Sequence, residues 1–419
     1  MSKRRITYIL TALFAVLSCS SPTVEKHVPE LLGFVPSDAL VVASYDRVCD
    51  VLTLIDSSSV LNSINLGKLR NSKAALGLCY TTSLVPILAV DAGKAGTDTS
   101  AVVASILAQA DSLGIHSEYI HDETADNRRG ALVMSPSAAG LNSARRHYDE
   151  KASILDAPSF NEALEKCITH KNWVIFRNNG ADKYIPKTFL MNYVQRREFI
   201  AFMQKCADWT TLAHEDKGKY IVDAVCGDFD TYYAKVIATQ QSGQSKIAPL
   251  LPRSTEFTID LPVRNPDFRQ AYERYLDASV KLEKYRSRLA ALKKESGKSP
   301  LDWEKELDVR EVAVVKWNNR AVCMVRAANG GQTQETAPNP WRGFVSALYG
   351  SAFAIPDDSG YAVIDGWYIF GGENDLEALR LCEHGPEGAS WPSKHTSLIV
   401  YRPSFMLDWD KDGIFLNIK

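Results

Sequence analysis

Long apolar runs are nearly missing from this 419-residue sequence. Beyond the first two dozen residues, no stretch approaches the roughly 20 apolar residues that a helix needs to cross a bilayer core, which excludes a spanning helix there. A dominant sign of charge is missing too. The 48 Lys and Arg stand against 50 Asp and Glu, interspersed along the chain, and this leaves no basic footprint for nucleic acid. The eight cysteines include no C-x-x-C and none pairs with histidine at zinc spacing. No G-x-S-x-G elbow occurs. His116 and His121 lack the H-E-x-x-H pattern, and five apart in a strand-like run they point to opposite faces. "SGKSP" (296–300) ends like a phosphate loop, but Leu292 stands where the first glycine belongs and Pro300 breaks the helix that should follow.

What is there begins at the amino terminus. Lys3, Arg4 and Arg5 precede a mainly apolar run from Ile6 to Leu17, the pattern of an export signal. Twelve helical residues cover roughly 18 Å, short of the roughly 30 Å of hydrocarbon. Val16, Leu17, Ser18 and Cys19 then resemble a bacterial lipobox, in which a peptidase cuts before the Cys and the Cys carries acyl chains. The expectation is a signal peptide over 1–18, lipidation at Cys19, a tether over 19–29, and contact with the membrane through those chains. One acyl chain holds only marginally; a diacylglycerol with an amide-linked chain suffices. Loss of 1–18 removes three bases and no acid, so 45 Lys and Arg remain against 50 acids, a net of −5. Of the remaining cysteines, Cys79, Cys226 and Cys323 fall in strand-like apolar stretches, where a thiol behaves as a small hydrophobe. Most read as buried free thiols, with one or two disulfides the alternative in an oxidising envelope.

The body reads as α+β and as two versions of one plan. "LLGFVPSDALVVASYD" (31–46) and "IAPLLPRSTEFTIDLPV" (247–263) both open with an apolar pair, a Pro and an alternating strand. Hairpin patterns follow at 74–94 and 311–331, helical segments at 99–113 and 341–349, strand-to-helix units at 130–144 and 366–380, and strands at 172–178 and 397–403. Five correspondences in one order predict two tandem related modules, 30–245 and 246–419, each a mainly antiparallel or mixed sheet with helices packed on it. The second carries an insertion. Ala271, Tyr275, Ala278, Leu282, Tyr285, Leu289 and Leu292 recur at heptad spacing, which predicts one long helix over 266–296 ending at Gly297. Such a helix packs on its own domain or meets a protein partner.

"VPSDALVVASYD" (35–46), "GALVMSPSAAGL" (130–141) leading to "ILDAPSFNEAL" (154–164), and "SPLDWEKELDVREVAVV" (299–315) resemble bacterial envelope lipoproteins grouped as a domain of unknown function. The resemblance covers roughly 31–180 and 250–400. It implies tandem α+β repeats and a lipid-anchored envelope protein, and it implies no activity.

The candidate sites are few. In "DWDKDG" (408–413), Asp408, Asp410, Asp412 and Gly413 match the first half of a calcium loop. The twelfth position is Lys419, and the flanks read as strands, so a hairpin turn is the reading and calcium the alternative. Trp317 and Trp391 stand in turn-like settings; such a ring more often plugs a core edge, and where exposed it stacks on a sugar or anchors a partner. No residue is assigned a catalytic or cofactor-binding role. The sequence therefore points to a non-enzymatic structural or interaction protein of the cell envelope, lipid-anchored in the outer membrane and facing the periplasm. The alternatives are a glycan- or ligand-binding lipoprotein using the C-terminal aromatics and a hydrolase whose site the sequence does not display.

Overall fold

The computed structural model describes residues 30–55, 58–80, 84–94, 97–121, 129–179, 206–216, 219–228, 230–263, 267–385, 391–392, 395–403, 405–410 and 413–418. The expected signal peptide, Cys19 with its tether, and Asp412 lie outside the described residues. Pairing joins seventeen strands into one sheet. This corrects the expectation of two tandem modules with a sheet apiece; of the antiparallel or mixed pairing expected, every described ladder is antiparallel. Local pattern reveals hairpins but not where a sheet ends, and an unpaired edge leaves backbone groups open to further pairing. By contacts the chain divides into two compact units. One takes in the described residues up to Thr188 and Trp209–Gly227; the other takes in those of Phe189–Asp208 and Asp228–Lys419.

The first unit contains β1 (Val41–Tyr45), β2 (Ala74–Tyr80), β3 (Leu84–Lys94), β4 (His116–His121), β5 (Arg129–Ser135), β6 (Trp173–Arg177), β7 (Trp209–Asp216) and β8 (Lys219–Val225). Its helices are α1 (Val48–Val51), α2 (Thr97–Ser112), α3 (Ala138–Asp149) and α4 (Pro158–Cys167). β1 lies in the middle, between β2 and β6. One arm continues through β3 and β5 to β4, the other through β7 to β8. The alternating side chains feed two apolar layers. Val42, Ala75, Ile87 and Val133 meet Phe160 and Ala144 on one face; Ala43, Leu76, Leu88 and Leu132 meet Val103 and Ile106 on the other. Ser137 caps α3 by accepting from the Gly140 N–H at 3.4 Å, and Pro158 opens α4, where its missing N–H costs nothing.

The second unit contains β9 (Gly243–Gln244), β10 (Thr255–Pro262), β11 (Val309–Trp317), β12 (Arg320–Ala327), β13 (Gln334–Pro338), β14 (Gly360–Ile364), β15 (Trp367–Gly371), β16 (His395–Thr396), β17 (Leu398–Arg402), β18 (Phe405–Asp410) and β19 (Gly413–Ile418). Its helices are α5 (Tyr233–Thr239), α6 (Asp267–Ala278), α7 (Leu282–Ser296), α8 (Pro300–Leu307), α9 (Phe344–Tyr349) and α10 (Glu373–Leu381). β10 lies between β11 and β17. The arms run β12, β15, β14, β13 on one side and β18, β19 on the other. β9 and β16 pair separately. Asn318 and Asn319, both at positive φ (44° and 61°), make the tight turn from β11 to β12, the conformation a two-residue hairpin demands.

The predicted single helix over 266–296 is corrected to two, α6 and α7, broken at Val280. Val280 has φ 56° and is 94% exposed. Lys281 N–H closes onto the Leu276 carbonyl at 2.7 Å, a helix-ending bond that normally calls for glycine. The break packs the aromatics: Tyr272 meets Tyr285 at 5.8 Å and Tyr275 at 5.9 Å, and the Arg269 guanidinium reaches the Tyr285 hydroxyl at 3.3 Å. Among the described residues no helix is long and apolar enough to cross a membrane. The seven described cysteines are free thiols, and Cys79, Cys167, Cys226 and Cys323 are buried. Burial pushes the Cys79 thiol up to about 12, with Asp38 adding to it.

Candidate functional site

β10 reads TEFTIDLP. Phe257, Ile259 and Leu261 take one face, Thr258 and Asp260 the other, as strand periodicity requires. Alternation of this kind normally turns its polar face to water. Here Thr258 and Asp260 are 0% exposed, because this face is covered as well. Segment 243–251 crosses it, burying Ile247 and Leu251 against Ala313, Val315 and Met324, with Trp391 partly buried at its margin.

Glu311 on β11 is also 0% exposed, and its carboxylate collects the polar groups of the covering layer. It accepts from Ser245 Oγ at 3.1 Å and from the Lys246 N–H at 2.8 and 3.1 Å. Arg326 Nε, one strand further on, donates at 2.8 Å. Trp391 Nε1 donates to Ser245 Oγ at 2.9 Å, and its ring packs 5.6 Å from Tyr401. Asp260 is different. Neither of its oxygens has a donor in hydrogen-bonding geometry, although Ser245 and Glu311 stand beside it. Burial, then the Glu311 charge, raises the Asp260 carboxyl well above the ordinary range. Burial raises Glu311 too, but the Lys246 N–H and Arg326 oppose it. Of the two, Asp260 is held further toward the protonated form, since Glu311 has the donors and Asp260 faces none among the described residues. A carboxyl beside a carboxylate can store and release a proton. Both members are sealed from solvent.

A second polar cluster lies among the aromatics of α6–α9. Arg269 is paired with Glu304 at 2.5 Å and donates to the Leu348 carbonyl at 2.5 Å. The Tyr349 hydroxyl donates to the same Glu304 oxygen at 2.5 Å. These contacts pair the half-buried Arg269 guanidinium through its terminal nitrogens, leaving Nε without a partner among the described residues, and fasten α6, α8 and α9 together. A cavity of about 40 Å³ lies between Trp341, Phe353, Phe370 and Asp358, the size for a water rather than an organic ligand.

The sequence-predicted residues do not converge. Asp408 and Asp410 sit in β18, opposite Phe415 and Gly413 of β19, with Asp412 outside the described residues. Asp408 accepts from Thr396 Oγ1 at 2.5 Å, and Asp410 accepts from the Gly413 N–H at 3.1 Å. Among the described residues no group of three or more metal-capable side chains gathers. Trp317 is 2% exposed in the core of the second unit. Trp391 joins the acid cluster, with its N–H engaged and its ring against Tyr401. Sequence reading missed Asp260, Glu311 and Ser245. The one signal available was an acid in each of two strongly apolar strands, TIDLP and REVAVV.

No family model, curated protein or solved structure matches the chain. The envelope-lipoprotein resemblance thus rests on its sequence motifs.

Proposed function

We propose that this chain is a lipid-anchored protein of the cell envelope that works without catalysis, as an interaction module, and that α7 presents its contact surface to an acidic partner protein. One observation carries the reading. From Lys281 to Lys298 the chain has seven Lys and Arg against two Glu, within a chain of net charge −2, and most of α7 is exposed. Tyr285 buries one edge of the helix, while Lys284, Lys293 and Lys294 are exposed on it. A basic ridge on a mildly acidic body steers an acidic surface to one place. Membrane attachment through acylated Cys19, on the periplasmic side of the outer membrane, supplies the address.

The test has two arms. Intact-mass analysis of the native product should find Cys19 acylated at the amino terminus; an unacylated product, or one still carrying its leader, overturns the address. Crosslinking in membrane extracts should yield an acidic partner that is lost both in high salt and in a Lys284→Glu, Lys293→Glu, Lys294→Glu variant. Capture that survives both, or capture of nothing acidic, overturns the surface. Removing the whole segment is no substitute, since α6 is part of the aromatic core.

A further inference from the structure

Segment 243–251 is tied at both ends by backbone. Gly243 and Gln244 pair with β16, and the Leu251 carbonyl accepts from the Gly385 N–H at 2.8 Å. Between those ends, Ser245 and Lys246 bind Glu311, and Ile247 lies on the sheet. Glu311 meets these donors and Arg326 as a carboxylate. Asp260, fully buried beside it with no donor of its own, must then be neutral, because two bare carboxylates in a dry site repel. Protonated, Asp260 gains a donor, and Glu311 is the acceptor next to it. Among the described residues, Arg326 from β12 meets the pair directly; on the same face of the sheet stand Tyr401 of β17, opposite Thr258, and buried Asp408 of β18, opposite Ile399, while the strap carries Lys246 and His395 of β16 lies across from Gln244 at its end.

We propose that segment 243–251 is a proton-locked strap: one proton, held by Asp260 against Glu311, keeps it closed, and release of that proton to solvent frees the strap with Trp391 and uncovers the apolar face of β11 and β12. Opening solvates both carboxylates, so it gains as pH rises. Arg326 moderates the gain by stabilising charge on the pair, and it stays with the sheet when the strap leaves. The inference is independent of the partner proposed for α7.

Hydrogen–deuterium exchange of the full chain, read by peptide and corrected for the intrinsic pH dependence of amide exchange, tests this. One linked proton predicts that the exchange of 243–251 rises about tenfold per pH unit between the ordinary carboxyl value and the folded one, while 309–327 stays protected. Asp260→Asn, neutral at every pH, should hold the strap closed with no slope. A flat wild-type strap, or the same slope in Asp260→Asn, overturns the proposal. Should that variant fail to fold, the infrared band of a protonated carboxyl in the wild type decides. It must fade over the pH interval in which the strap opens, and its absence at low pH or its persistence beside an open strap overturns the lock.

Discussion

The two units place their central strands alike and fill them differently. β1, VVASY, lies between β2 and β6 and carries no carboxylate. β10, TEFTIDLP, lies between β11 and β17 and buries Asp260. The contrast extends outward. Among the described residues of the first unit the buried polar ones are Asp50, Ser135, Ser153, Asn178 and Thr211. Asp50 alone is charged among them, and it meets Arg47 through two 2.8 Å bonds at a margin where the Arg47 side chain is 41% exposed. In the second unit Asp260, Glu311, Lys316, Asp408 and Asp410 are all buried. The first unit shows that a central strand so flanked can do without buried acids. Those of the second are a cost the strand arrangement does not require, and such costs concentrate where a protein acts.

Truncating the charged groups of both units sharpens this contrast. Glu311→Ala leaves Arg326, Ser245 and the Lys246 N–H without their acceptor, and a loss of about 3–5 kcal/mol is expected for breaking a buried, paired charge. Asp50→Ala lets Arg47 turn to water and should cost about 1 kcal/mol or less, in the range of exposed pairs. Urea midpoints of the two variants measure both, and equal losses would erase the distinction between the units.

The next largest effect is a pH dependence, and its sign follows from burial. Asp260 binds its proton more tightly folded than unfolded. The stability this gives is complete below the ordinary carboxyl value of about 3.9 and is lost as pH rises through the folded value. Wild type should therefore weaken relative to Asp260→Asn as pH climbs from about 4. Asp223 of the first unit is also raised, first by burial, but Lys166, His170 and Thr211 oppose the shift. Asp223→Asn should show the same sign with a shallower slope. A steeper slope at Asp223 would move the proton-linked site to the other unit.

How much of this could be read beforehand depended on distance along the chain. The strand pairs of 74–94 and 311–331, the strand-to-helix joint at Ser137 and the pairing of β18 with β19 are local patterns, and each follows the alternation of its residues. The sheet count was not local, and it was misjudged. The acid cluster was illegible for a related reason. Thr258 and Asp260 alternate with Phe257, Ile259 and Leu261, which reads as a wet face. What dries that face is 243–251 and Trp391, the latter more than a hundred residues away. Trp317 was legible only as an alternative, a binding aromatic or a plug at a core edge; a turn follows it, and its ring belongs to the core. The break at Val280 carried no sequence signal, because heptad spacing continues through it and valine is the wrong residue for the bend.

That bend gives the smallest and cleanest comparison. Lys151 in the first unit and Val280 in the second both follow a helix at positive φ, 51° and 56°. In each the next N–H closes the helix end: Ala152 onto the His147 carbonyl at 3.0 Å, Lys281 onto Leu276 at 2.7 Å. The left-handed conformation costs an L-residue about 1–2 kcal/mol, and a β-branched side chain fares worst in it. Val280 is almost wholly exposed, so glycine there forfeits no packing. Val280→Gly should stabilise by about 1 kcal/mol, after glycine's greater freedom in the unfolded chain offsets part of the relief. Lys151→Gly should gain only a few tenths of that, about 0.3 kcal/mol. Thermal or urea midpoints decide the order. If Val280→Gly gains nothing, the valine is not strained, and the separation of α6 from α7 must be held by the Tyr272–Tyr285 packing rather than endured at the turn.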